Sequence, residues 1–157
     1  MWLWQDLEHF AFDFAEQVRL SEDFRNEIQF GRVASALADE AERHIEGLRI
    51  KFGDLSQVAE RLIERPARRG YVWESFHAGV AAALVGRPEE AEVHLRRVLD
   101  EDPFAPWIAE VQQVARHVHE VAHDSVAVRG WAAAAIASCR RKLTLDEPAA
   151  PPVVLFP

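Results

Sequence analysis

The chain has 157 residues, about one domain's length, with 49% apolar and 28% charged residues. That is the composition of a folded globular protein and excludes a disordered one. Its formal charge of −8 opposes nucleic acid and anionic membrane surfaces, so neither is expected as a partner.

Helical spacing dominates from the start, and strand alternation is absent. Trp2 to Leu20 places Trp4, Leu7, Phe10, Ala11, Phe14 and Val18 at three- and four-residue steps, which predicts a helix. Ser21 is positioned to cap a second helix from about Glu22 to Phe30, ending at Gly31. Arg32 to Phe52 comes next as a longer helix, with Val33, Leu37, Ala41, Ile45, Leu48 and Phe52 on one stripe. Gly53 is expected as its left-handed cap, with Asp54 starting Leu55 to Glu64. Pro66 ends that helix, and Arg65, Arg68 and Arg69 form a basic turn.

Tyr71 to Val85 is predicted helical and is closed by Gly86; Pro88 suits the first turn of the next helix, which stops before Pro103. Pro106 opens a helix with Trp107, Val111, Val114, Val118 and Val121 on one face, running to about His123. Ser125 is expected to cap a last helix, Val126 to Leu143. Short connections favour antiparallel neighbours. The expected fold is therefore all-α, stacked helical hairpins or an irregular bundle, with one domain over residues 1–143 and a proline-rich tail with an apolar end over 144–157.

Other classes are less well served by the residues. Cys139 is the only cysteine, so an intrachain disulfide or a cysteine zinc cluster is excluded, and the thiol is expected to be buried. The apolar run Trp131 to Cys139 is far shorter than the ~20 residues of a membrane span. The first residues lack the basic region and unbroken apolar core of a secretory leader, so a cytoplasmic location is expected. Lysine occurs only at positions 51 and 142 while arginine is common, a usage frequent in GC-rich bacteria.

Val72 to Pro103 carries a recognisable pattern. Gly79 and Ala81 supply small positions on a first helix, and Gly86 allows a sharp reversal. Ala91 opens the contact face of a second helix, Leu95, Val98 and Leu99 continue it, and Asp102-Pro103 ends it. The stretch resembles a tetratricopeptide repeat, with Gly53 to Leu62 a fainter echo. It departs from that family where the usual aromatics fall at Ser75 and Ala82, and it covers about a fifth of the chain. The resemblance implies a non-catalytic interaction module whose first helices line a concave groove for a protein or peptide. Glu74, His77 and Arg87 are the expected exposed groove residues, and Gly79 is expected to face Ala91.

The alternative reading is a metal-binding bundle or a small metal-dependent hydrolase. His119-Glu120-Val121-Ala122-His123 has the spacing in which two histidines one turn apart bind zinc and a glutamate activates water. Helix geometry, however, puts His119 about 90° from the apolar centre, His123 further round and Glu120 nearly opposite, at roughly 100° per residue. His44 with His119 and His123 resembles the three-histidine site of DinB-like bundles, although the Arg-Gly that comes after the late pair there is found here only at Arg129-Gly130. His77 and His94 are a further pair on facing helices. No glycine-flanked serine or phosphate-binding loop is present, and no cofactor is expected. The tail Val153-Val154-Leu155-Phe156 after three prolines reads as a docking segment, on its own domain or on a second copy in a homo-oligomer.

Overall fold

The computed structural model describes residues 22–66 and 70–144. The predicted first helix, Ser21, Arg68, Arg69 and the apolar tail lie outside these residues. Among the described residues the protein is all-α, with six helices and no strand. Contacts divide the chain after Asp54, with α1 in one unit and α2 to α6 in the other.

Helix α1 (Glu27–Lys51) begins at Asn26, whose side chain accepts the backbone N–H of Gln29 at 2.8 Å. Residues 22–26 are not helical. Glu22 instead accepts Arg32 at 2.9 Å and Gln29 at 3.2 Å, bonds that hold its carboxyl below the usual range. The helix runs unbroken through Gly31, where a break was predicted. One glycine costs only about 1 kcal/mol, and the following turns are rich in Ala, Leu, Glu and Arg. Glu40 pairs with Arg43 and with His44 (2.9 Å). No α1 residue is buried, and Ile28 and Ile50 are 87% and 75% exposed. Its C-terminal cap is Phe52. Gly53 does not adopt the predicted left-handed conformation; a Cβ there would sit 2.8 Å from the carbonyl oxygen of Arg49, so close approach explains the glycine.

The second unit is built around α3 (Val72–Leu84), which packs against α2 (Leu55–Ile63), α4 (Pro88–Leu99), α5 (Pro106–Val121) and α6 (Ser125–Lys142). Every α3 residue from Ser75 to Leu84 is buried. A helix apolar on all sides must be enclosed, and Ser75, Gly79 and Ala81 to Ala83 are small enough to admit neighbours on several faces. Phe76 and Val80 meet Leu95, Val98, Ile108, Val111, Val118 and Val128 in one core.

The connections are set by local chemistry. Gly86, at φ +74°, closes α3: its N–H bonds the Ala83 carbonyl at 3.2 Å, and the Arg87 N–H bonds that of Ala82 at 2.9 Å, a Schellman ending. Pro88 and Pro106 open α4 and α5 as predicted. The cap of α6 is Asp124 rather than the predicted Ser125; its carboxylate accepts the N–H groups of Val126 and Ala127 at 3.0 Å each.

Gly79 was expected to face Ala91; the nearest α4 atoms to it belong to Leu95. It lies against Leu95, one turn later, where a Cβ would fall 2.6 Å from Leu95 Cγ. On the other side of α4, Gln112 of α5 donates through Nε2 to the carbonyls of Val98 (3.1 Å), Leu99 (3.4 Å) and Glu101 (2.7 Å). One amide thus closes the end of α4, whose last carbonyls have no helical partner. Gln112→Leu is expected to lower unfolding free energy by about 1–2 kcal/mol. Gln112→Glu should cost more at neutral pH, since a carboxylate would face the same oxygens. Urea denaturation of the three proteins checks both, and a loss under ~0.5 kcal/mol for the leucine variant would remove the role.

Candidate functional site

The N-terminal ends of α3 and α5 come together. Trp73 stands in the first turn of α3 and Trp107 in the first turn of α5, and their rings stack 5.9 Å apart at 6°. Helices α3 and α5 therefore start at the same end of the unit, as expected when each packs against an α4 running between them. His77, one turn beyond Trp73, also stacks with it, at 5.7 Å and 20°. Phe76 meets Trp73 edge-on at 5.8 Å. The result is a column, His77–Trp73–Trp107, that rises from the core to the surface.

The two ends of the column differ in chemistry. His77 is 0% exposed, and burial depresses its pKa to about 3, so the ring is neutral throughout the physiological range. Trp73 and Trp107 are half-buried. Beyond them Phe104, between Pro103 and Pro106, is 71% exposed, and Tyr71, just before α3, is 51% exposed. The two stacked tryptophans are thus preceded in the chain, within three residues of each, by an exposed phenol and an exposed phenyl. Such a surface offers flat apolar contact with few rotatable bonds to freeze.

The residues expected in the groove are placed differently. His77 is a correction: it is fully buried and presents nothing to a partner. Glu74 and Arg87 are only half-buried. Arg87 donates to Glu90 Oε1 through Nε at 3.0 Å, and this bond holds the Glu90 carboxyl below its usual range. The expected groove along α3 is not formed, because α3 is covered by four helices. Gly79 meets Leu95 of α4, Ala81 and Ala91 are buried, Gly86 makes the turn, and exposed Pro103 lies just beyond α4.

On α5 the histidines obey helix geometry. His119 is half-buried, while Glu120 and His123 are exposed. His119 Nε2 is enclosed and has no hydrogen-bond partner among the described residues. His44 belongs to the other unit, against Glu40. His94 is buried, and burial lowers its pKa, with Arg97 adding to the effect. Among the described residues no three His, Cys, Asp or Glu side chains gather as a metal site, and no helix is long and apolar enough to cross a membrane.

The aromatic end was the feature missed from sequence. From sequence, Trp107 falls on the apolar face of its helix and Trp73 lies in a stretch that is apolar on every side, so neither marks a surface. An apolar ring in a rigid Pro-Phe-Ala-Pro connection, outside either helical stripe, was the available signal. The chain matches no protein-family model, no curated protein and no solved structure.

Proposed function

We propose that the protein is a non-catalytic helical interaction module, related in design to tetratricopeptide-repeat hairpins, that binds a proline-rich or apolar peptide segment at the aromatic end. The observation behind this reading is the half-buried Trp73–Trp107 stack, with the exposed Phe104 three residues before Trp107 in the chain. Proline-rich segments are already extended and dock on aromatic surfaces at low entropic cost. Tryptophan and tyrosine are the residues that most often dominate binding energy. The acidic surface adds a preference for partners that are not themselves strongly acidic.

Decaproline is the simplest probe. Titrated into the full chain, it is expected to shift the indole N–H resonances of Trp73 and Trp107 saturably while leaving that of Trp131 in place. Phe104→Ser should weaken binding about tenfold, or ~1.4 kcal/mol, without changing the fold. Glu74→Ala should change it little. Indole resonances of Trp73 and Trp107 that stay fixed up to millimolar peptide would remove the proposal.

A further inference from the structure

We infer that a second copy of this chain covers the apolar face of α1, in an antiparallel pair about a twofold axis at Ala41. Helix α1 buries none of its residues, yet it carries a continuous apolar line. On that line Phe30, Ile45 and Leu48 are 62%, 49% and 38% exposed. Helices in proteins draw most of their stability from packing such a face against a neighbour.

The spacing along the line selects the neighbour. Steps of 4, 7 and 11 residues from Ala41 reach Ile45, Leu48 and Phe52 in one direction and Leu37, Ala34 and Phe30 in the other. Eleven residues make close to three full turns, so all seven positions stay within about 40° of one line on a straight helix. The apolar pattern is thus symmetric about its midpoint, as an isologous contact requires. Antiparallel pairing sets Ala41 against Ala41, Leu37 against Ile45, Ala34 against Leu48 and Phe30 against Phe52. The small pair at the axis lets the two helices approach closely.

Charge and size agree with this. Between Phe30 and Phe52 no acidic residue lies within about 80° of the line, although Asp39, Glu40, Glu42 and Glu46 belong to the same helix. Two copies of a chain with a charge of −8 can therefore meet here without carboxylates facing each other across the seam. The line is about 33 Å long, and a third of the accessible circumference of a helix gives roughly 500 Å² per copy, ~1,000 Å² in all. That reaches the lower bound for a specific interface and falls short of the standard ~1,600 Å². The dimer should therefore dissociate on dilution.

Sedimentation of the full chain between about 1 and 300 µM tests this. The mass is expected to rise from 17.8 kDa toward twice that value. Leu37→Glu should weaken association at least about tenfold with helix content unchanged by circular dichroism. Ile50→Ser, on the far side of α1, should leave association as it was. In a Cys139→Ala background, Ala41→Cys should give a disulfide-linked dimer under mild oxidation. Ala34→Cys should not, because its two copies are about 21 Å apart in the antiparallel pair, whereas a disulfide needs less than ~7 Å between Cα atoms. Should Leu37→Glu lose helix, the two cysteine variants decide. Linkage through Ala34→Cys as readily as through Ala41→Cys overturns the antiparallel arrangement. A mass that stays at 17.8 kDa throughout overturns the second copy as occupant. A dimer indifferent to Leu37→Glu and unlinked by Ala41→Cys is held by another surface, and the proposal falls.

Discussion

Replacing Gly79 by valine is expected to be the most damaging single substitution on α3, lowering unfolding free energy by at least ~3 kcal/mol. A Cβ at this position would lie 2.6 Å from Leu95 Cγ, 2.8 Å from its Cδ2 and 3.2 Å from its backbone nitrogen. The Leu95 side chain is fully buried, so it has no vacant rotamer, and the backbone contact means that α3 and α4 must separate. That separation opens the core around Val98 and Phe76. Alanine is the more informative change. In an exposed helix Gly→Ala stabilises by about 1 kcal/mol; here overpacking of about 1–3 kcal/mol opposes it, so Gly79→Ala should be neutral to clearly destabilising. Combining it with Leu95→Ala should cost less than the sum of the two single changes, because the shortened side chain makes room for the new methyl. Urea denaturation of the four proteins measures this. Stabilisation by Gly79→Ala alone, or strict additivity in the pair, would show that the helices are not in such close contact.

Acidification should weaken the protein through His77. Burial holds this ring neutral, with its pKa lowered from 6.5 to about 3. The unfolded chain takes up a proton below about pH 6.5, while the folded chain refuses it until about pH 3. Stability from this group is therefore complete above pH 6.5 and is lost as pH falls toward 3, at about 1.4 kcal/mol per pH unit within that window. The total is about 5 kcal/mol, a large share of the 5–15 kcal/mol typical of a folded domain. His94, lowered in the same direction by burial, adds to the trend. His77→Gln keeps a polar side chain of similar size and removes the titration. It should lower stability at pH 7.5 through the lost stack on Trp73, yet flatten the acid dependence. Between pH 7.5 and 5 the parent should lose about 2 kcal/mol more than the variant. Equal losses in the two proteins would mean that the imidazole is not held neutral by its surroundings.

Much of the helical layout was legible because single residues announce it. Pro88 and Pro106 sit at first helical positions, and Gly86 marks a turn that only a positive φ completes. Where several residues compete, reading from sequence slipped by a residue or more. Asn26 and Asp124 cap the helices that neighbouring serines and acids were equally placed to start, and Gly31 interrupts nothing, since one glycine cannot outweigh the helix formers after it. The candidate site was harder. In Val72–Leu84 apolar and small residues occur on every side, so periodicity cannot say which face is outermost. The repeat-like resemblance implies an outward, groove-lining His77, whereas enclosure of α3 by four helices leaves it fully buried. Trp73 and Trp107 become neighbours only when α3 and α5 run side by side in the same direction, a property of the packed unit that neither segment displays alone.

The central position of α3 also bears on how a protein like this can change. A helix hemmed in by four others has no side chain to spare for recognition, since nearly every replacement there is felt as lost packing. If the aromatic end binds a peptide as proposed, preference for one ligand over another is set at the rim, by Phe104, Tyr71 and the two indoles. Those few positions can vary while the interior stays fixed, so selection can alter what is bound without first reopening the question of whether the chain folds.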